Sequence, residues 1–203
     1  MEETLVFIDE GFLSKLSKHL GKTKYIKINY LKFAKQLSKK QNLFCKKIFY
    51  YTAPPYQSEP PSEKEELMKK GYDCFIKSFK KNNEVIVREG RCQKIKDENG
   101  ETRYKQKGVD TLLTIDLSHL KEDYPEIKKI ILISSDTDFC PAIKDIKKRW
   151  NTEVLLYTYF DRKRKSKFSL SNDLIACCSK YFKLTKEDFL SAPLNKNENK
   201  KIN

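Results

Sequence analysis

The chain is 203 residues long, room for one domain with a full core and at most a small appendage. Its 42 Lys and Arg against 28 Asp and Glu give a net charge of +14, a field that attracts polyanions and argues against basic partners. No run approaches the length of a membrane span, no apolar signal core stands at the N-terminus, and six cysteines without C-x-x-C spacing argue against a zinc module. A cytoplasmic protein with reduced thiols and no membrane contact is the expectation.

Residues 4–8 are apolar and bounded by Asp9-Glu10-Gly11, which predicts a short buried strand followed by a helical stretch. From Tyr30, the apolar residues Tyr30, Phe33, Ala34 and Leu37 recur at helical spacing, while Lys32, Lys35 and Lys39 line another face. Residues 43–51 read as a second strand, ended by Thr52-Ala53-Pro54-Pro55 and a proline-containing loop to Pro61. Ser62 with Glu65 three residues later is a capping box, opening a helix to about Phe79. Alternation over 84–107 around Asp97-Glu98-Asn99-Gly100 predicts a strand, a hairpin and a return.

A helix over 108–120 would bury Val109, Leu112, Leu113 and Leu117. Residues 129–134 are the clearest central strand, 139–150 the helix after it, and 154–159 another strand. A basic loop over 161–167, a short helix from Ser171 and a last element near 181–190 complete a domain over 1–192, with a polar, disordered tail expected over 193–203. Strands alternating with helices make this an α/β fold with a mostly parallel central sheet.

Four aspartates sit at the edges of these runs. Asp9 follows Leu5-Val6-Phe7-Ile8, Asp110 closes Lys107-Gly108-Val109-Asp110, and Asp136 and Asp138 follow the central strand. Parallel sheets bind ligands outside the carboxyl ends of their strands. Clustered carboxylates raise one another's pKa and persist as anions beside a divalent cation, and an all-oxygen donor set selects Mg²⁺ or Mn²⁺ over zinc. Each aspartate also has a plainer role: Asp9 and Asp136 as helix caps, Asp110 as a solvated helix residue. Between Glu10 and Glu59 there is no acid at all, yet eleven lysines. An acidic pocket on a basic body is the electrostatics of an enzyme that acts on nucleic acid.

Three blocks carry a more specific resemblance. Val6-Phe7-Ile8-Asp9, then Lys107-Gly108-Val109-Asp110-x-x-Leu113-x-x-Asp116-Leu117, then Leu132-Ile133-Ser134-Ser135-Asp136-x-Asp138-Phe139-x-Pro141-x-Ile143 resemble, in this order, the NYN domain family in its LabA-like branch. That family is similar to the PIN-domain ribonucleases, and the match runs over about residues 6–175. The resemblance implies a three-layer α/β/α PIN-like, Rossmann-like sandwich with an inserted β-hairpin. It also implies a Mg²⁺ or Mn²⁺ site built from Asp9, Asp110, Asp136 and Asp138, and metal-dependent endonucleolytic cleavage of RNA phosphodiesters. Two positions depart from the family pattern: Phe12 stands where the family carries asparagine, and Ser135 where it carries glycine.

Around that site, Asp116 reads as a helix-surface or supporting residue, since six residues along a helix turn it about 240° from Asp110. Ser134 and Ser135 could position a phosphate near the helix start. The grip on single-stranded RNA is assigned to Lys32, Lys35, Lys39, Lys107, Arg162, Lys163 and Arg164, with Tyr104, Tyr157, Tyr159, Phe160 and Phe168 as stacking or core aromatics. The alternatives are a catalytically inactive RNA-binding module and a Toprim-like nuclease. The latter leaves Lys107-Gly108-Val109-Asp110 unexplained. A homodimer is left open.

Overall fold

The computed structural model describes residues 1–96, 98–161, 168 and 171–194. Its strands in chain order are β1 (Glu2–Asp9), β2 (Leu43–Thr52), β3 (Val85–Glu89), β4 (Arg91–Lys96), β5 (Thr102–Lys107), β6 (Lys129–Ile133), β7 (Glu153–Thr158) and β8 (Lys180–Lys183). Six form one sheet in the order β3-β2-β1-β6-β7-β8, with every pairing parallel, and β4-β5 is a separate antiparallel hairpin. Leu5, Val6, Phe7 and Ile8 are fully buried, as the centre of a parallel sheet covered on both faces requires. Ile8 lies level with Tyr50 of β2 and Ile133 of β6, so these three strands end side by side.

The helices are α1 (Glu10–Leu20), α2 (Tyr30–Lys40), α3 (Glu63–Phe79), α4 (Val109–Ser118), α5 (Leu120–Asp123), α6 (Cys140–Trp150), α7 (Asn172–Cys177) and α8 (Lys186–Leu190). One face of the sheet packs on α1, α2 and α8 through residues such as Leu13, Leu16, Phe33, Leu37 and Phe189. The other packs on α4, α6 and α7 through Leu113, Leu117, Ile143, Ile146 and Leu174. The result is the three-layer α/β/α arrangement, with apolar stripes of amphipathic helices closing both faces. Ser62 and Glu65 form the expected capping box at the start of α3, the Ser62 N–H donating to Glu65 Oε2 at 2.8 Å.

Several elements differ from the sequence reading. Residues 84–107 do not form one hairpin: β3 joins the main sheet beside β2, and only β4 and β5 pair with each other. The division falls at Gly90, where a Cβ would lie 2.4 Å from the Lys107 carbonyl oxygen and 2.8 Å from Val109 Cγ2. The other end of the hairpin leads through Gly108, whose φ of +79° is left-handed and suits a residue without Cβ, into α4. The last element resolves into β8 and α8. Residues 193 and 194, assigned to the tail, pack on the fold instead: Pro193 bridges to Ile28, and Leu194 lines a cavity. Among the described residues no helix is long and apolar enough to cross a membrane.

Candidate functional site

The chain leaves β1 toward β2 and β3, and enters β6 on the opposite side of β1. Their adjacent carboxyl ends are therefore the switch point of a doubly wound sheet, where a crevice opens. Asp9 ends β1, Ser134, Ser135 and Asp136 follow β6, and Asp110 stands in the first turn of α4.

Hydrogen bonds fix this corner. Asp9 Oδ1 accepts from the Phe12 N–H at 3.1 Å, capping α1, and Asp9 Oδ2 accepts from the Ser134 hydroxyl at 2.8 Å. Ser134 Oγ in turn accepts the Asp136 N–H at 3.1 Å, so one fully buried hydroxyl ties the two loci together. Asp136 Oδ1 accepts the Asp138 N–H at 2.9 Å and caps a 3-10 turn (Thr137–Phe139). The cap roles thus coexist with the cluster. Burial pushes the Asp9 carboxyl above its ordinary range, against the hydrogen bonds from Phe12 and Ser134, and the charge of Asp136 adds to the rise. Desolvation also raises Asp110, followed by the charges of Asp136, Asp9 and Asp138. Asp110 therefore senses all three other carboxylates, although they reach it from separate segments.

Glu10 also belongs to this corner. It begins α1 and lines the groove, and burial raises its carboxyl against the opposing influence of the nearby Gln106 of β5 and Ser14. The hairpin comes close to the first turn of α1 at Gly11, where Gln106 Oε1 lies only 3.2 Å from the place of a Cβ.

These residues line one end of an open groove of about 1330 Å³. Asp9, Asp110 and Asp136 lie on its wall, with Ser135 and Thr137 between; Asp138 is exposed on the 3-10 turn beside it. Lys15, Lys18 and His19 follow along α1, Lys22 stands just past its C-cap Gly21, and Tyr104 and Lys105 come from the hairpin. The spacing of 15, 18 and 19 is the helical signal that could have picked out this face.

The other expected residues lie elsewhere. Lys32, Lys35, Lys39 and Lys107 do not line the groove, and Lys35 is ion-paired with Glu84 at 2.7 Å. Arg162, Lys163 and Arg164 lie outside the described residues. Asp116 does not support the aspartates: Arg88 grips it through Nε at 2.9 Å and Nη2 at 2.7 Å, and the Tyr51 hydroxyl donates to it at 2.8 Å. That pairing faces β2 and β3, as the turn of the helix between positions 110 and 116 dictates. Phe12 is buried, its ring edge-on to Phe168 with centroids 6.5 Å apart.

The donor set is entirely oxygen, the chemistry of a site for Mg²⁺ or Mn²⁺. Among the described residues no three His, Cys, Asp or Glu side chains are already gathered as a metal cage.

A doubly wound α/β sandwich with an acidic crevice at its switch point defines the class. The NYN domain family matches residues 3–185, and the chain belongs to that family. Among solved structures, the fold is similar to that of a protein of unknown function from Vibrio parahaemolyticus, with a TM-score of 0.52, 16% identity and coverage of 92% of this chain and 94% of that one. No curated protein matches the chain.

Proposed function

We propose that this protein is a metal-dependent endoribonuclease of the LabA-like branch, cutting single-stranded RNA by hydrolysis. The observation that carries the reading is the joining of Asp9 and Asp136 through Ser134, opposite Asp110, at the acidic end of a lysine-lined groove. Asp9, Asp110 and Asp136, with Asp138 adjacent, would hold Mg²⁺ or Mn²⁺. When bound, such an ion stabilises charge on the phosphoryl oxygens and makes water a nucleophile near neutral pH. Ser134 ties Asp9 and the Asp136 backbone to one hydroxyl, which holds the two loci in register. Lys15, Lys18, Lys22 and Lys105 take successive phosphates along the groove.

The test is labelled single-stranded RNA and DNA incubated with Mn²⁺, Mg²⁺ or a chelator. Chelator-sensitive RNA products are expected. Asp136→Asn keeps the cap and removes the charge, so cleavage should fall by roughly a hundred- to several thousandfold while RNA binding survives. Parent rates in Asp110→Asn, Asp136→Asn and Asp138→Asn, each made singly, would reject the mechanism. Phe12 at the asparagine position favours one second reading, an inactive RNA-binding module; RNA retention without cleavage in any divalent cation would establish it.

A further inference from the structure

Beside the groove lies a second cavity of about 480 Å³, within the ~300–1,000 Å³ of small-ligand sites. Its walls include Tyr30, Tyr50, Tyr72 and Phe75, with Ala53 and Met68. Glu10 and Ser14, one turn apart on α1, line both spaces. The aromatic walls are braced. The rings of Tyr30 and Tyr50 meet edge-on with centroids 4.8 Å apart. The Tyr72 hydroxyl donates to Glu89 at 2.8 Å. Gln106 and Ser14 stand near Glu10.

We propose that this cavity receives the base of a nucleotide flanking the scissile phosphate, and that Glu10 makes guanine the preferred base. The position of that phosphate rests on the nuclease reading above; the pocket itself does not. A base offers π-faces to aromatic walls and a hydrogen-bonding edge to a single polar group. Guanine alone among the RNA bases sets two adjacent N–H donors, N1 and N2, on its Watson–Crick edge. Adenine, cytosine and uracil each place an acceptor beside the donor. A carboxylate only accepts, so it takes guanine's pair bidentately and repels the acceptor of the others. Lys27, the other charged residue lining the cavity, is exposed and suits a nucleotide phosphate.

The experiment measures binding of guanosine, adenosine, cytidine and uridine monophosphates, in chelator, to the parent, Glu10→Gln and Met68→Trp, with a thermal melt of each. Cut sites on a mixed-sequence RNA are mapped in parallel. The parent should prefer the guanine nucleotide by roughly ten- to a hundredfold. Glu10→Gln, with a donor beside its acceptor, should lose most of that preference. Met68→Trp, which fills the cavity from an exposed position on α3, should weaken all four nucleotides, and cuts should keep a fixed offset from guanine. Equal affinity for the four overturns the proposal, as does an unchanged preference in a folded Glu10→Gln. If Glu10→Gln fails to fold, undiminished guanine-nucleotide binding by Met68→Trp overturns it. Chelator-sensitive cleavage without base preference sinks the pocket and leaves the nuclease; guanine-selective binding without cleavage does the reverse.

Discussion

Asp110 binds its proton more tightly in the fold than in the unfolded chain, because desolvation and then the charges of Asp136, Asp9 and Asp138 raise it from 3.8. With a raised carboxyl, stability falls as pH climbs from the unfolded pKa through the folded one, and the loss is complete at neutral pH. Asp110→Asn removes that repulsion. In chelator at neutral pH it should stabilise the protein by about a few tenths of a kcal/mol, since the group is exposed and screened. The difference should vanish below about pH 3, where both states are protonated. Thermal melts of both proteins across that range check the sign. Phe12 presents the opposite case. Its ring belongs to the core beneath α1, so Phe12→Asn forfeits packing and buries an amide, a cost of about 3 kcal/mol or more. A large fall in melting temperature without a gain in cleavage is expected. The sequence set Phe12 at the family's asparagine position, and the packing shows that its side chain serves the core.

Among the elements, α1 and α2 both carry lysines on an exposed face, and only α1 borders the groove. Reversing Lys15, Lys18 and Lys22 to Glu should weaken single-stranded RNA of any sequence and lower the magnitude of the log–log salt slope by about 2, at roughly 0.7 per phosphate. The same reversal at Lys32, Lys35 and Lys39 should change affinity little. Gel shifts at several salt concentrations separate the two. Periodicity reveals which face of a helix is buried, but not which end of the sheet the exposed face overlooks. For that reason the buried stripe of α2 was legible and its distance from the groove was not. A similar ambiguity merged β3 with the hairpin, because a strand in a sheet and a strand in a free ribbon share the same two-residue alternation.

At the scale of the whole molecule, the aspartate blocks were legible because each stands where an apolar strand or turn ends, and parallel topology brings such ends together. The cavity beside Glu10 was not legible. It is assembled from α1, α2, β2, α3 and the loops between them, and no local pattern records their mutual placement. The hairpin carries one more consequence. Gly90 presses against the carbonyl of Lys107, and Arg91 pairs with the same residue, so its two legs are pinched together where they leave the domain. Its far end turns at Gly100, where a Cβ would meet nothing. Such a part is interchangeable: lengthening the tip costs an entropy that grows only slowly with loop length, whereas the neck admits no side chain. The wall that the hairpin gives the groove can thus be recut while the aspartates stay where they are.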